Sequence, residues 1–205
     1  MTESGVLAMD ADDLEGLAGF YHLLSRLWIS ELDDEWLTAL REGSLADAAS
    51  DLDLPIGGEL AELRERLATE YCALLIGPQE HVSPHQSVWV EGQLQGQTVI
   101  SMQQFLEVVG EEADHTLCDH LGVQLGVMAR IVDELATTAA EPDETQDAVA
   151  ELIGLAQAFF GTHVDWIGRF LEAARNTTNS PFYGQLVEVT REFLAEEHDI
   201  WLPAS

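Results

Sequence analysis

Apolar side chains recur every three or four positions along most of this chain, which is the spacing that lays one stripe down an α-helix. The first run is Leu14, Leu17, Phe20, Tyr21, Leu24, Leu27 and Trp28, preceded by the acidic N-terminal capping group Asp10, Asp12 and Asp13. Short helices are predicted over Glu35–Arg41 and Leu45–Leu52, before Pro55-Ile56-Gly57-Gly58 breaks the chain. Leu63, Leu67, Tyr71, Leu74 and Leu75 form the next stripe, and Gly77-Pro78 stops it because proline cannot continue a helix. Ser101 reads as the N-cap of a helix over Gln104–Val109 that Gly110 closes. A helix over Thr116–Thr138 buries Leu117, Leu121, Leu125, Met128, Val132 and Leu135. After Glu141-Pro142-Asp143, a long helix carries Val149, Ile153, Ala156, Phe160, His163, Ile167 and Phe170. Ser180-Pro181 opens the last one, with Phe182, Leu186, Val189, Phe193 and Leu194 inside. Strand-like alternation is nearly absent, Gln97–Ile100 being the one weak candidate, so the fold class is all-α, a single helical bundle.

One stretch breaks the helical pattern. Ser83-Pro84-His85-Gln86-Ser87-Val88-Trp89 reads as a loop between the breakers Pro84 and Gly92, yet it holds an indole and β-branched residues. Loops with that content usually pack down on something, and long ordered loops carry function.

Composition narrows the classes. The 205 residues suit one domain, or two small lobes sharing a core, and 46% hydrophobic content supplies a sizeable interior. Acidic residues number 38 against 8 basic ones, all arginine, for a net charge of −30. Such a surface repels nucleic acid and anionic lipid and favours cationic partners, or adapts the protein to a salty medium. Met1–Leu14 lacks the basic start and apolar run of a signal peptide, and no segment approaches the roughly 20 apolar residues that span a bilayer. Cys72 and Cys118 show no metal or redox spacing and read as reduced core residues, so a soluble, cytoplasmic protein is expected.

Candidate chemistry is sparse. Asp119-His120 stands near the start of the Thr116–Thr138 helix, where a histidine beside an aspartate can be held in one tautomer and titrate near neutral pH. A polar pair at a helix start accounts for the same residues. His81 and His85 are separated by Pro84, His115 and His120 are five apart, and His163 lies in an apolar stripe as a satisfied core residue, so no metal site is predicted. There is no glycine-rich phosphate loop, no G-x-S-x-G elbow and no lysine, and both cysteines sit in apolar surroundings. An enzyme is not expected, nor is a tightly bound cofactor.

The ordered elements Tyr71-x-x-Leu74-Leu75-Ile76-Gly77-Pro78, Ser83-Pro84-His85-Gln86-Ser87-Val88-Trp89, Leu94-x-Gly96, Asp119-His120-Leu121-Gly122-Val123-x-Leu125-x-x-Met128, His163-x-x-Trp166-x-x-x-Phe170 and Phe182-Tyr183-x-x-Leu186 are together similar to the TorD/DmsD family of redox-enzyme maturation chaperones. The nitrate reductase assembly chaperones are related to that family. The resemblance spans about residues 14 to 197. It implies an all-helical TorD-like domain over 14–197, flanked by a flexible acidic segment 1–13 and a tail 198–205. It also implies a cytoplasmic non-enzyme that binds the twin-arginine signal peptide and the body of a molybdenum-cofactor oxidoreductase. Such a chaperone assists cofactor insertion and assembly before export, with at most transient contact to the molybdenum cofactor.

Carried over residue by residue, Tyr71, Pro84, Ser87, Trp89, Asp119 and His120 form the implied client-binding site. Thr116 stands where the family often has a glutamate, and His85 and Gln86 where it often has a proline and an acid; Glu111, Glu112 and Asp114 are the available substitutes. The chain is a monomer on this reading, or a dimer that exchanges lobes across a candidate hinge near 110–116. Two other readings stand beside it: a helical metal-dependent hydrolase using Asp119 and His120, and a permanent adaptor subunit of a reductase complex.

Overall fold

The computed structural model describes residues 9–78, 80–110, 118–140 and 146–202. Among them every regular element is helical, as the apolar spacing predicts, and no strand occurs. The order is α1 (Ala11–Ile29), α2 (Asp34–Glu42), α3 (Ala46–Asp51), α4 (Leu60–Tyr71), α5 (Gln86–Glu91), α6 (Gln97–Val108), α7 (Leu121–Ala140), α8 (Gln146–Phe159), α9 (Ile167–Thr177) and α10 (Pro181–Trp201). π-Helical turns over Cys72–Ile76 and Phe160–Val164 follow α4 and α8. No described helix is long and apolar enough to cross a membrane.

The chain clusters into two compact units. One takes in the residues up to Ile29, His85–Ile167 and those from Ala195 on. Its framework is α1 packed on α7, which also packs against α8. Asp10 and Asp13 start α1 reciprocally: Asp10 Oδ1 accepts from the Asp13 N–H at 3.0 Å, and Asp13 Oδ2 faces the Asp10 N–H at 3.4 Å. Leu14, Ala18, Tyr21, Leu24, Leu27 and Trp28 of α1 are buried, as are Leu121, Leu125, Met128, Val132 and Leu135 of α7. The two helices approach closely at Gly122, whose carbonyl accepts from Ser25 Oγ at 2.7 Å. At the end of α10 the buried Glu197 accepts from Tyr21 Oη at 2.9 Å and from Trp201 Nε1 at 2.7 Å. Burial raises the Glu197 pKa, and these two donors only partly offset it.

The other unit comprises Ser30–Pro84 and Gly168–Leu194. Asp33 caps α2 through the Trp36 N–H at 2.9 Å, and Glu59 caps α4 through the Glu62 N–H at 2.9 Å. Leu63, Leu67, Tyr71, Leu74 and Leu75 are all buried, so the predicted stripe is the inner face of α4 and its π turn. Ser180 caps α10: its Oγ accepts from the Tyr183 N–H at 3.1 Å and donates to Glu70 Oε2 at 2.5 Å. The Tyr71 and Tyr183 rings meet with centroids 6.2 Å apart.

Several expectations are corrected. Cys72 is exposed, because Tyr71, Leu74 and Leu75 take the inner positions and turn it outward; Glu31 Oε1 accepts from its thiol at 3.2 Å. Cys118 is buried as expected. Gln97–Ile100 is the first turn of α6, which starts well before Ser101. The cap comes instead from Glu91, whose carboxylate accepts from the Gln97 and Thr98 N–H groups at 2.8 Å each. Residues 83–89 are not all loop, since α5 begins at Gln86 and ends on Gly92 in the left-handed region (φ 73°). The single helix expected from Val149 to Phe170 is three pieces, α8, a π turn and α9. The last helix, α10, runs to Trp201, whose indole is buried. Glu111, Glu112, Asp114, His115, Thr116 and Leu117, the start of the helix predicted at Thr116, and Glu141-Pro142-Asp143 lie outside the described residues.

Candidate functional site

α7 begins at Leu121, so Asp119 and His120 precede it rather than sitting in its first turn. Their backbone is laced to the start of α5: His85 and His120 form an isolated antiparallel bridge, and the Gln86 N–H donates to the Asp119 carbonyl at 3.0 Å. The Asp119 side chain has no exposed surface. Its Oδ2 accepts from the Ser87 N–H at 2.8 Å, and its Oδ1 lies 3.4 Å from His85 Nδ1, an ion-pair distance rather than a well-made hydrogen bond. Burial alone would raise the Asp119 pKa, but His85 and Ser87 outweigh it and hold the carboxyl below its usual value. Three buried atoms of this knot, His85 Nδ1, Ser87 Oγ and Asp119 Oδ1, make no hydrogen bond of good geometry.

The partner of Asp119 is therefore His85 and not its neighbour His120. The Gly122 N–H donates to His120 Nδ1 at 3.0 Å, which leaves the ring proton on Nε2. Its ring meets that of His85 edge-on, with centroids 5.1 Å apart. Desolvation, with the nearby His85 adding to it, pushes the His120 pKa down to about 3, away from the near-neutral range that the sequence suggests for it.

Behind α5 runs a second buried chain of polar groups. Gln86 Nε2 donates to the Thr162 carbonyl at 2.6 Å, and Gln86 Oε1 accepts from Gln124 Nε2 at 2.6 Å and from His163 Nδ1 at 2.8 Å. Trp166 Nε1 donates to Gln124 Oε1 at 2.8 Å. With its proton on Nδ1, His163 accepts at Nε2 from Ser101 Oγ, 3.0 Å away. Every nitrogen of His163 is thus satisfied in the core, and burial pushes its pKa down to about 4. A neutral Gln86 suits these partners: its single amide both gives to a carbonyl and receives two N–H groups, which a carboxylate cannot do.

These pKa values predict the acid response. A histidine whose folded pKa lies below its unfolded value of about 6.5 leaves stability intact above that pH and erodes it as pH falls toward the folded pKa, because only the unfolded chain takes the proton. His163 alone should therefore cost up to about 2 kcal/mol between pH 7 and 5. The check is denaturation at both pH values for wild type and His163→Gln, with the variant expected to show the flatter dependence. Imidazole NMR should also keep His120 and His163 neutral at pH 5. Titration of either ring near pH 6.5 would refute the assignment.

The structure thus brings Ser87, Asp119 and His120 together with His85, and puts Trp89, half-buried, on the same short helix α5. Tyr71 and Pro84, both buried, belong to the other unit. Of the stretch expected to pack down, Val90 is half exposed at 50% and Val88 is only partly covered; the buried members are Pro84, Gln86 and Ser87. Among the described residues, four of the six large exposed apolar side chains come from this stretch and the helix after it: Val90, Leu94, Ile100 and Val108. Apolar spacing did not single out Gln124 or Ser101. The available signal was an amide at Gln124, three positions after Leu121 and four before Met128 on the buried face of α7. No group of three or more His, Cys, Asp or Glu side chains among the described residues is placed to hold a metal ion.

Residues 33–172 match the family model described as nitrate reductase delta subunit. No curated protein matches the chain.

Proposed function

The chain belongs to the nitrate reductase delta subunit family of molybdoenzyme assembly chaperones, and from that premise we propose that it holds the twin-arginine leader of its client in the cytoplasm until the molybdenum cofactor is in place. The observation that carries this reading is the exposed apolar set Val90, Leu94, Ile100 and Val108 on α5, α6 and their connection, in a chain whose net charge is −30. A twin-arginine leader has the complementary design, two guanidinium groups followed by an apolar segment. The apolar side chains of the leader would lie on the α5–α6 surface, and its arginines would be drawn by the chain's large excess of carboxylates.

The burial of Asp119 supports a different part for it. A carboxylate with no exposed surface cannot take a guanidinium from solvent while α5 is docked, so Asp119 and His85 act as positioning residues that hold α5 in place. The same enclosure weighs against a hydrolase in which Asp119 and His120 meet a substrate.

Magnitudes separate the two contributions. A buried leucine-sized side chain is worth roughly 1.5–3 kcal/mol, against about 0.2–1 kcal/mol for an exposed ion pair. Apolar contact should set the lifetime of the complex and charge its rate of formation. The test is stopped-flow binding of a synthetic peptide bearing a twin-arginine pair and an apolar segment. Between about 50 and 500 mM salt the association rate is expected to fall by roughly tenfold or more while dissociation changes by less than about threefold. A salt effect carried mainly by dissociation, or no binding of such peptides, would overturn the reading.

A further inference from the structure

A cleft of about 280 Å³ opens in the unit that contains α4. One wall is Glu70 with Ala73 and Leu74 of the π turn, and the other is the turn Thr177–Ser180 between α9 and α10. The volume falls just below the range for ligand sites, roughly 300–1,000 Å³, so it suits one long side chain and not a nucleotide or pterin. Its walls are preformed: the Thr178 N–H closes on the Ala174 carbonyl at 2.9 Å, the Ser180 N–H donates to Thr178 Oγ1 at 3.1 Å, and Ser180 Oγ ties the turn to Glu70.

The electrostatics of the cleft favour a cation. Among the described residues of its lining, Glu70 carries the only formal charge. The end of α9 that reaches it is the carbonyl end, where the helix dipole is negative and the last C=O groups lack partners within the helix. The opposing N-terminus of α10 is largely used up, because Pro181 has no N–H and the Tyr183 N–H is taken by Ser180 Oγ. The stems of Ala73 and Leu74 supply an apolar side wall for a methylene chain.

We propose that this cleft receives a single arginine side chain of a partner polypeptide, its guanidinium on Glu70 and the carbonyl end of α9 and its stem along Ala73 and Leu74. This goes beyond leader binding, since the pocket is lined by none of the exposed apolar side chains on which that reading rests, and it holds whether the arginine belongs to the leader or to the client body. A planar guanidinium suits the site better than an ammonium, because it can pair with a carboxylate oxygen and a carbonyl at once.

The experiment is a titration of the isotope-labelled full chain with Nα-acetyl-arginine amide at low salt, followed by amide NMR. Saturable shifts are expected at Ala73, Thr178 and Asn179 with a Kd of roughly millimolar order, and the neutral isostere Nα-acetyl-citrulline amide should bind at least about tenfold more weakly. Glu70→Gln, which keeps an acceptor for Ser180, should abolish the shifts. Ala73→Leu, which narrows the cleft but leaves the charge, should abolish them too. Equal binding of citrulline, unsaturable shifts spread over the acidic surface, or full binding by both variants would overturn the proposal. Leader peptides with each arginine replaced in turn by citrulline assign the source. Loss of affinity at one position that Glu70→Gln does not deepen places that arginine in the cleft. A leader that fails to bind wild type at all refutes the leader reading while the acetyl-arginine result still decides the pocket.

Discussion

Gly122→Ala is expected to lower the melting temperature by roughly 4–12 °C, the equivalent of about 2–3 kcal/mol for a chain of this size. A Cβ at this position would sit 2.8 Å from Ile29 Cα and Cβ and 2.9 Å from Ile29 N, well inside van der Waals contact. The obstruction is largely backbone, so no rotamer change relieves it, and α1 and α7 must separate. Separation in turn strains the Ser25 hydroxyl bond to the Gly122 carbonyl. One turn on, Gly126 is the milder control: its Cβ would meet Ser25 Oγ at 3.0 Å and Ser25 Cβ at 3.8 Å, and the hydroxyl can rotate away at the cost of its bond to the Gly122 carbonyl. Gly126→Ala should therefore cost less than half as much in thermal melts followed by circular dichroism. Equal effects at the two glycines would mean that the close approach at Gly122 is not what holds these helices together.

That approach shows where sequence reading stops. The apolar stripes of α1, α4 and α7 are written in their spacing, because a three-to-four repeat has one helical solution, and most of their predicted inner residues among those the structure describes are buried, Leu17 and Phe20 being half-buried. Helix ends were legible where the capping chemistry is local, as at Asp10, Ser180 and Gly110. They were not legible where the cap comes from elsewhere: Glu91 caps α6 across a five-residue connection, so Ser101, a good capping residue in isolation, was free to serve His163. The π turn at Phe160–Val164 is invisible to periodicity, since one extra residue per turn shifts the stripe without ending it. At the candidate site, adjacency suggested Asp119 with His120, but the bridge between residues 85 and 120 faces Asp119 toward His85 instead. Long-range pairing of that kind leaves no trace in local spacing.

Asp119→Ala is expected to do two things at once, and their ratio is informative. Removing the carboxylate deletes a charge-assisted bond to the Ser87 N–H and leaves that buried donor and the His85 ring without their partner. Such losses cost about 1.5–3 kcal/mol for a bond to a charged group, hence a melting temperature lower by roughly 3–12 °C. Because α5 is anchored there, binding of a twin-arginine peptide should weaken as well, by about tenfold or more if the loosened helix takes half of the apolar contact with it. Asp119→Asn keeps an acceptor for Ser87 and should recover most of the stability. The counterpart is Val90→Asp with Leu94→Asp: both side chains are half exposed, so melting should hardly change, while leader affinity should fall by roughly 10–100-fold. If the surface pair left affinity untouched while Asp119→Asn, well folded, abolished it, then Asp119 would itself be the ligand, and α5 would have to open for the leader to reach it.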